Sequence, residues 1–392
     1  MCYDIGGEIF MEIIGIICEY NPFHNGHLYH IEKVKELYPN STIVLVMSGN
    51  VTERGELSIL SKWDKTDIAL NFGIDLVLEL PYIYASQAAD IFCYGAIKIL
   101  SEIGVNNIVF GSESNDVEQL KKCAEIQLYD KKYEEYVKTY LSEGLNYPTS
   151  LSKALEQISN IKINMPNDLL GLGYVKEIIK NKYPITPISI KRTNDYHSDN
   201  IDNSISSATS IRKAILEGIE INNTIPAYVI PFLNKKQIFL NDYFDFIKYK
   251  VLSEEYLNKY QTVDNDIIPK MKDNVINSNS LEDFISKIKT KHYTYNKLMR
   301  MCSHILFSLT KDEANLYMTK PYIRILGFSD KGKKYLNKRK KEINIPIISN
   351  YSNDKDKLLE LELRVSKLLS LNKGIVFYED EYKTKPLTKK DV

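Results

Sequence analysis

The first half of this chain alternates short β-rich runs with helical patterns, and few architectures accommodate that order. The β-rich runs are Ile13–Cys18, Thr42–Ser48, Asp75–Leu80, Asn107–Gly111 and Ile185–Ile190. Helical periods lie between and after them, at His27–Leu37, Lys62–Phe72, Gln87–Ile103, Val117–Tyr140, Thr149–Ile158 and Leu169–Asn181. The pattern predicts an α/β fold, a parallel sheet with helices on both faces. Such a sheet binds ligands outside the carboxyl ends of its strands, where the strand order switches. His24, Gly49 and Gly111 stand at strand ends and are expected on that edge.

A last helix of this half starts near Ser207 and fades at Gly218. The two prolines and turn residues of Asn222–Pro231 then suggest a boundary. Beyond it the pattern is mostly helical, at Asp242–Asn258, Ser280–Thr290, Tyr293–Leu309 and Lys357–Leu371, interrupted by Pro321–Phe328. The expected division is a non-functional extension over 1–10, a catalytic α/β domain over 11–221 and a mostly helical domain over 222–392.

Composition excludes several classes. Lys+Arg and Asp+Glu both number 51, so net charge alone points to no nucleic acid, although a local basic face remains open. The five cysteines, Cys2, Cys18, Cys93, Cys123 and Cys302, are scattered without C-x-x-C spacing. That argues against zinc and against a disulfide framework, and it fits a reducing cytoplasm. No apolar run reaches the length of a membrane span. Met1 to Phe10 lacks the basic start and apolar core of a signal peptide.

The chemistry concentrates in Asn21-Pro22-Phe23-His24-Asn25-Gly26-His27, directly after the first strand. His24 and His27 are three apart and share one face of the helix they open. Gly26 leaves the backbone open to a phosphate, and the helix N-terminus attracts the same anion. As cations or as hydrogen-bond donors the two rings can hold the phosphates of a nucleoside triphosphate and stabilise departing pyrophosphate. The plainer reading is two histidines capping a helix. A second cluster, Ser206-Ser207-Ala208-Thr209-Ser210-Ile211-Arg212, places hydroxyls and a guanidinium at another helix start. Alone it reads as an ordinary N-cap; beside H-x-G-H it reads as a second phosphate clamp.

Weaker signals surround these. Gly111 lets a base or ribose approach the backbone. Arg54 can reach an anion, Asn167 can cap a helix or touch the nucleotide, and Lys191-Arg192 ends a strand on the binding edge. Magnesium is expected only with the ATP phosphates, since no acidic spacing suggests a metal cage. The basic stretch Lys331–Lys341, with Tyr322, Arg324 and Phe328 nearby, can bind a nucleic-acid backbone and stack a base; a solvated helix face explains it equally.

H-x-G-H with a later hydroxyl–arginine cluster resembles the nucleotidyltransferase superfamily related to class I aminoacyl-tRNA synthetases. More narrowly, Glu19 to His27, Ser48-Gly49-Asn50, Arg54-Gly55-Glu56, Phe110-Gly111-Ser112-Glu113, Lys191-Arg192, Ser207 to Arg212 and Arg324 to Phe328 resemble the bacterial tRNA(Met) cytidine acetate ligase family. Glu53 stands where that family suggests glutamine. The resemblance implies a Rossmann-like nucleotidyltransferase domain followed by a helical tRNA-binding domain. It implies that ATP and acetate form acetyl-adenylate, and that the acetyl group passes to N4 of the wobble cytidine of elongator tRNA(Met). It implies an ATP site at Ile17, Cys18, Glu19, Tyr20, Asn21, Pro22, Phe23, His24, Asn25, Gly26, His27, Leu28, Tyr29 and His30, with Gly111, Asn167, Arg192 and Ser207. His24, His27, Thr209 and Arg212 are the expected catalytic residues, and Arg324, Lys338, Arg339 and Lys340 the expected tRNA contacts. Two rivals remain: a small-molecule adenylyltransferase of the same superfamily, against which the long C-terminal half argues, and a nucleotide sensor with a dead site, against which the intact clusters argue.

Overall fold

The computed structural model describes residues 12–192 and 206–390; the expected extension over 1–10 lies outside them. Eight strands form one sheet, seven of them in the order β5-β4-β1-β2-β3-β6-β7 and β8 paired with β6. They are β1 (Ile13–Cys18), β2 (Thr42–Ser48), β3 (Leu76–Leu80), β4 (Asn107–Ser112), β5 (Thr186–Lys191), β6 (Ile323–Ser329), β7 (Ile347–Ile348) and β8 (Leu387–Lys389). β2 and β3 are buried along their whole length, as near-continuous apolar runs demand in a sheet covered on both faces. Successive residues of β1 serve opposite layers. Ile14 and Ile16 join the core under α1 (Asn25–Leu37) and α2 (Lys62–Asn71). Ile13 joins the core under the helix Ala89–Ile103, where Gly15 leaves room for Leu100.

β1 through β5 are mutually parallel, and each pairing matches the expected alternation. The stretch Val117–Tyr140, expected as one helix, is two: Val117–Tyr129 and Lys131–Ser142. Asp130 ends the first in an extended conformation, and its carboxylate caps the second through the Lys132 amide.

The latter part of the chain contributes helices, among them Tyr295–Leu306, Lys311–Met318 and Glu360–Leu369, and also returns to the sheet. β6 runs antiparallel against the outer edge of β3, and β7 and β8 share the far edge of β6. Beneath this junction lies a buried charge network. Lys62 of α2 bonds Glu79 of β3 at 2.7 Å and Glu381 at 2.8 Å, and Arg324 of β6 lies 3.1 Å from Glu381. No helix among the described residues is long and apolar enough to cross a membrane.

The strand order switches between β1 and β4. Their pairing is confined to Ile14↔Asn107 and Gly15↔Ile108. Further along, β1 stays with β2 as far as Cys18↔Met47, and β4 stays with β5 as far as Ser112↔Lys191. The two central strands therefore part toward their carboxyl ends, which opens a crevice at the switch point.

Candidate active site

The H-x-G-H turn fills one wall of that crevice. Tyr20 leaves β1 at φ 49°, a left-handed conformation costly for a non-glycine residue, and packs edge-on against Phe23 and His27 with centroids 4.8 Å away. Asn21 holds the turn to the neighbouring loop: its amide donates to the Leu57 carbonyl and its Oδ1 accepts from the Ile59 amide. His24 caps α1, its Nδ1 accepting from the Gly26 amide at 3.0 Å. His27 Nδ1 reciprocates by accepting from the His24 amide at 3.2 Å. Capping and phosphate binding are thus not alternatives here. Each Nδ1 is an acceptor, so each neutral ring carries its proton on Nε2 and offers that N–H as its donor.

The rings stack with centroids 3.8 Å apart. Burial, then Arg192, then Arg212 lower His24 to about 3. Burial, then His24 and Arg192, hold His27 well below the usual histidine range. Both shifts favour the neutral ring over the cation. The rest of the stretch packs around them. Ile17, Cys18 and Leu28 pack against the two cores, Pro22 follows a cis peptide, and Tyr29 lies under the Lys33 ammonium. Asn25 bonds the Asn223 and Thr224 carbonyls, and His30 engages the Val109 backbone of β4. Burial, then Glu19, push the Cys18 thiol up to about 12, so it stays protonated and is no nucleophile at neutral pH.

The second cluster meets the first directly. Ser207 caps the helix Ala208–Glu217 through the Ser210 amide, one turn before Arg212. Arg212 Nη1 donates to the Asn21 carbonyl at 2.7 Å, and Nη2 pairs with Glu56 and lies 3.5 Å from Thr209 Oγ1. Ile211 shares one core with Tyr20 and Phe23. Arg192, at the end of β5, acts electrostatically on His24, His27 and His30, and its buried Nε has no hydrogen-bond partner. An orphaned guanidinium N–H beside two imidazole donors suits a phosphate oxygen.

Gly111 and Asn167 stand at the carboxyl end of β4. A side chain at Gly111 would press on Arg192 Cγ at 3.3 Å, so glycine leaves that arginine its place. Glu113 bonds the Asn167 side chain at 2.6 Å and the Asp168 amide at 3.0 Å, capping the helix Pro166–Asn181. Asp168 returns the bond to the Glu113 amide at 3.0 Å. Asn167 is therefore fixed beside the β4 edge by a reciprocal cap.

Sequence reasoning missed Lys65. Its buried ammonium reaches the carbonyls of Glu19 at 3.0 Å, Ser48 at 2.7 Å and Gly49 at 2.8 Å, and the Ser58 hydroxyl at 2.9 Å. One cation thus ties together the carboxyl ends of β1 and β2. A signal existed: Lys62, Lys65 and Ala69 fall at i, i+3 and i+7, the stripe of α2 that should be apolar. Arg300 was missed too. It pairs with Glu53 at 3.0 Å and anchors the Asn50–Glu56 loop, while burial raises Glu53 to about 7. Arg54 of the same loop acts electrostatically on Glu19 and Glu53.

The expected tRNA contacts do not gather here. Arg324 is a correction: its side chain is 0% exposed inside the network around Glu381, so it presents nothing to a phosphate. Lys338, Arg339 and Lys340 lie at the end of the helix Asp330–Arg339, whose Tyr335 hydroxyl bonds the Ile103 and Gly104 carbonyls before β4. That helix occupies the amino-end rim of the parallel strands, opposite the crevice. Arg339 is further engaged by Glu342. Among the described residues no His, Cys, Asp or Glu cluster could hold a metal ion.

A parallel sheet whose switch-point crevice is lined by H-x-G-H and a converging hydroxyl–arginine cluster defines a nucleotidyltransferase. The HIGH Nucleotidyl Transferase family model matches residues 11–383. A tRNA(Met) cytidine acetate ligase from Caldicellulosiruptor saccharolyticus is 39% identical over 92% of this chain and 94% of its own. Another from Clostridium novyi is 36% identical over 96% and 99%. The crystal structure of Thermotoga maritima TmcAL bound with alpha-thio ATP superposes with a TM-score of 0.88 at 29% identity, covering 97% of this chain and 100% of that one. The chain belongs to the tRNA(Met) cytidine acetate ligase family.

Proposed function

We propose that this protein activates acetate with ATP and transfers the acetyl group to N4 of the wobble cytidine of elongator tRNA(Met). The carrying observation is the 2.7 Å bond from Arg212 to the Asn21 carbonyl, which joins the two phosphate-binding clusters at one crevice. In the first step an acetate oxygen attacks the α-phosphorus, the bond to the bridging oxygen breaks and pyrophosphate leaves. Neutral His24 and His27 donate Nε2–H to phosphate oxygens, and Arg192 and Arg212 supply positive charge as the leaving group gains negative charge. Arg212 must then exchange its Glu56 carboxylate for the triphosphate. Magnesium enters as the counter-ion of ATP, held chiefly by the phosphates.

In the second step the cytidine amine attacks the acetyl carbon, AMP leaves and the amine gives up one proton. The reacting base must be splayed out of its loop to reach the crevice. A cytoplasmic setting follows from the substrates.

Two measurements test the reading. ATP–pyrophosphate exchange is expected to require acetate, and mass spectrometry of tRNA(Met) incubated with labelled acetate and ATP is expected to find the label on the wobble cytidine. His27→Ala is expected to lower exchange by about a hundredfold or more, as loss of a preorganised donor does. Exchange that ignores acetate but responds to another small acceptor would replace the ligase with an adenylyltransferase.

A further inference from the structure

The helix Glu360–Leu369 faces two ways. Its inner face meets the carboxyl ends of the central strands: Ser366 accepts a bond from Asn50, two residues past β2, and Glu362 accepts from the Tyr82 amide, two residues past β3. The helix therefore stands on the same rim as the crevice. Its outer face forms one side of a cavity of about 380 Å³.

Three rings line that cavity: Tyr317 of Lys311–Met318, Tyr351 and Tyr382. Tyr351 and Tyr382 are 4.5 Å apart between centroids. Arg364 and Lys367 project from the helix into the same space. Arg364 pairs with Glu313 at 3.0 Å through Nη1, while its Nε is buried with no hydrogen-bond partner. Glu313 and Glu360, also in the lining, offset the two cations. That balance makes a poor phosphate site. It suits a neutral planar group that stacks on tyrosine, accepts from a guanidinium N–H and donates amino or imino hydrogens to carboxylates. A nucleobase has all of these features, and single-stranded RNA is read in this way.

We propose that this cavity receives an unstacked base of the substrate tRNA, distinct from the cytidine that reacts. The assignment rests on the ligase reading for the identity of the RNA. Holding a second loop base on the rim of the crevice helps keep the loop open and orients the reactive base toward the acetyl-adenylate.

The test compares Tyr351→Ala/Tyr382→Ala with Tyr351→Phe/Tyr382→Phe in the full chain, by tRNA binding and by acetate-dependent pyrophosphate exchange. The alanine pair is expected to bind tRNA about tenfold or more weakly, because base–aromatic stacking is lost. The phenylalanine pair is expected to bind like the parent, since it keeps both rings. Exchange is expected to be unchanged in both, because adenylation does not involve the RNA. Parent-like tRNA binding by the alanine pair overturns the proposal, as does equal weakening by the phenylalanine pair. Absence of acetate-dependent exchange in the parent chain fails the ligase reading instead, and the binding comparison still decides whether the cavity takes RNA.

Discussion

His24 and His27 each serve two purposes through two ring nitrogens. Nδ1 satisfies a backbone amide at the helix start, and that bond leaves the ring proton on Nε2 as the donor. The arrangement keeps both rings uncharged in the free protein. Burial likewise lowers His30 and His304 to about 4. A histidine whose folded pKa lies below its unfolded value binds fewer protons when folded. Stability from these four groups is therefore fully present above about pH 6.5 and is lost as the pH falls toward the folded values, by up to about 1.4 kcal/mol per pH unit for each ring. Denaturant unfolding at pH 7.0 and 5.5 is expected to show this loss, with ring ¹⁵N shifts at pH 6 reporting Nε2–H tautomers for His24 and His27. An imidazolium at either position would contradict the neutral assignment, because its Nδ1 could no longer accept the backbone amide.

At the scale of elements, the site depends on loops that strangers in sequence hold in place. The loop Asn50–Glu56 doubles back through the Thr52 amide to the Glu56 carbonyl at 2.9 Å, with Gly55 at φ 80°. A Cβ on Gly55 would sit 2.6 Å from the Arg300 amide nitrogen, so the helix Tyr295–Leu306 packs directly on the glycine. Gly55→Ala is expected to cost at least about 1–3 kcal/mol, from the left-handed backbone and the clash. It is also expected to displace Glu56 from Arg212 and lower exchange activity. Thermal unfolding and exchange assays check both effects; a parent-like melt with parent-like exchange would show that the loop is not held this way. The H-x-G-H segment was legible because paired histidines are unusual at a helix start, and the hydroxyl–arginine segment, an ordinary N-cap by itself, became legible only beside it. Lys65 and Arg300 were not, since a lysine or arginine is an ordinary surface residue until the fold removes water from it.

The whole molecule is tied together through its sheet. β3 has β2 on one edge and β6 on the other, and Lys62 and Glu79 share their buried charge with Glu381. A chain ending at Ile221 would expose the edge of β3 as an open row of backbone groups and leave that network unpartnered. It is expected to aggregate, or to unfold without a cooperative transition, in sedimentation and thermal melts. A soluble, cooperatively melting fragment would instead mean that 11–221 is self-sufficient. The sequence signalled the interruption at Pro321–Phe328 but not its destination, because a short strand-like run fits several sheet positions equally well.

The chain's local chemistry determined the parallel α/β core, its strand ends and the two helix-start clusters, H-x-G-H and hydroxyl–arginine. Hydrophobic period, turn residues and helix caps act over a few neighbours, so a sequence carries them openly. Which distant groups meet was decided by tertiary structure alone. Arg212 on Asn21, Lys65 across two strands, Arg324 sealed inside, and the tyrosine cavity on the catalytic rim all depend on burial. Burial is a property of the assembled fold, and it is what turns a common charged or aromatic side chain into a strut, a ligand or a stacking surface.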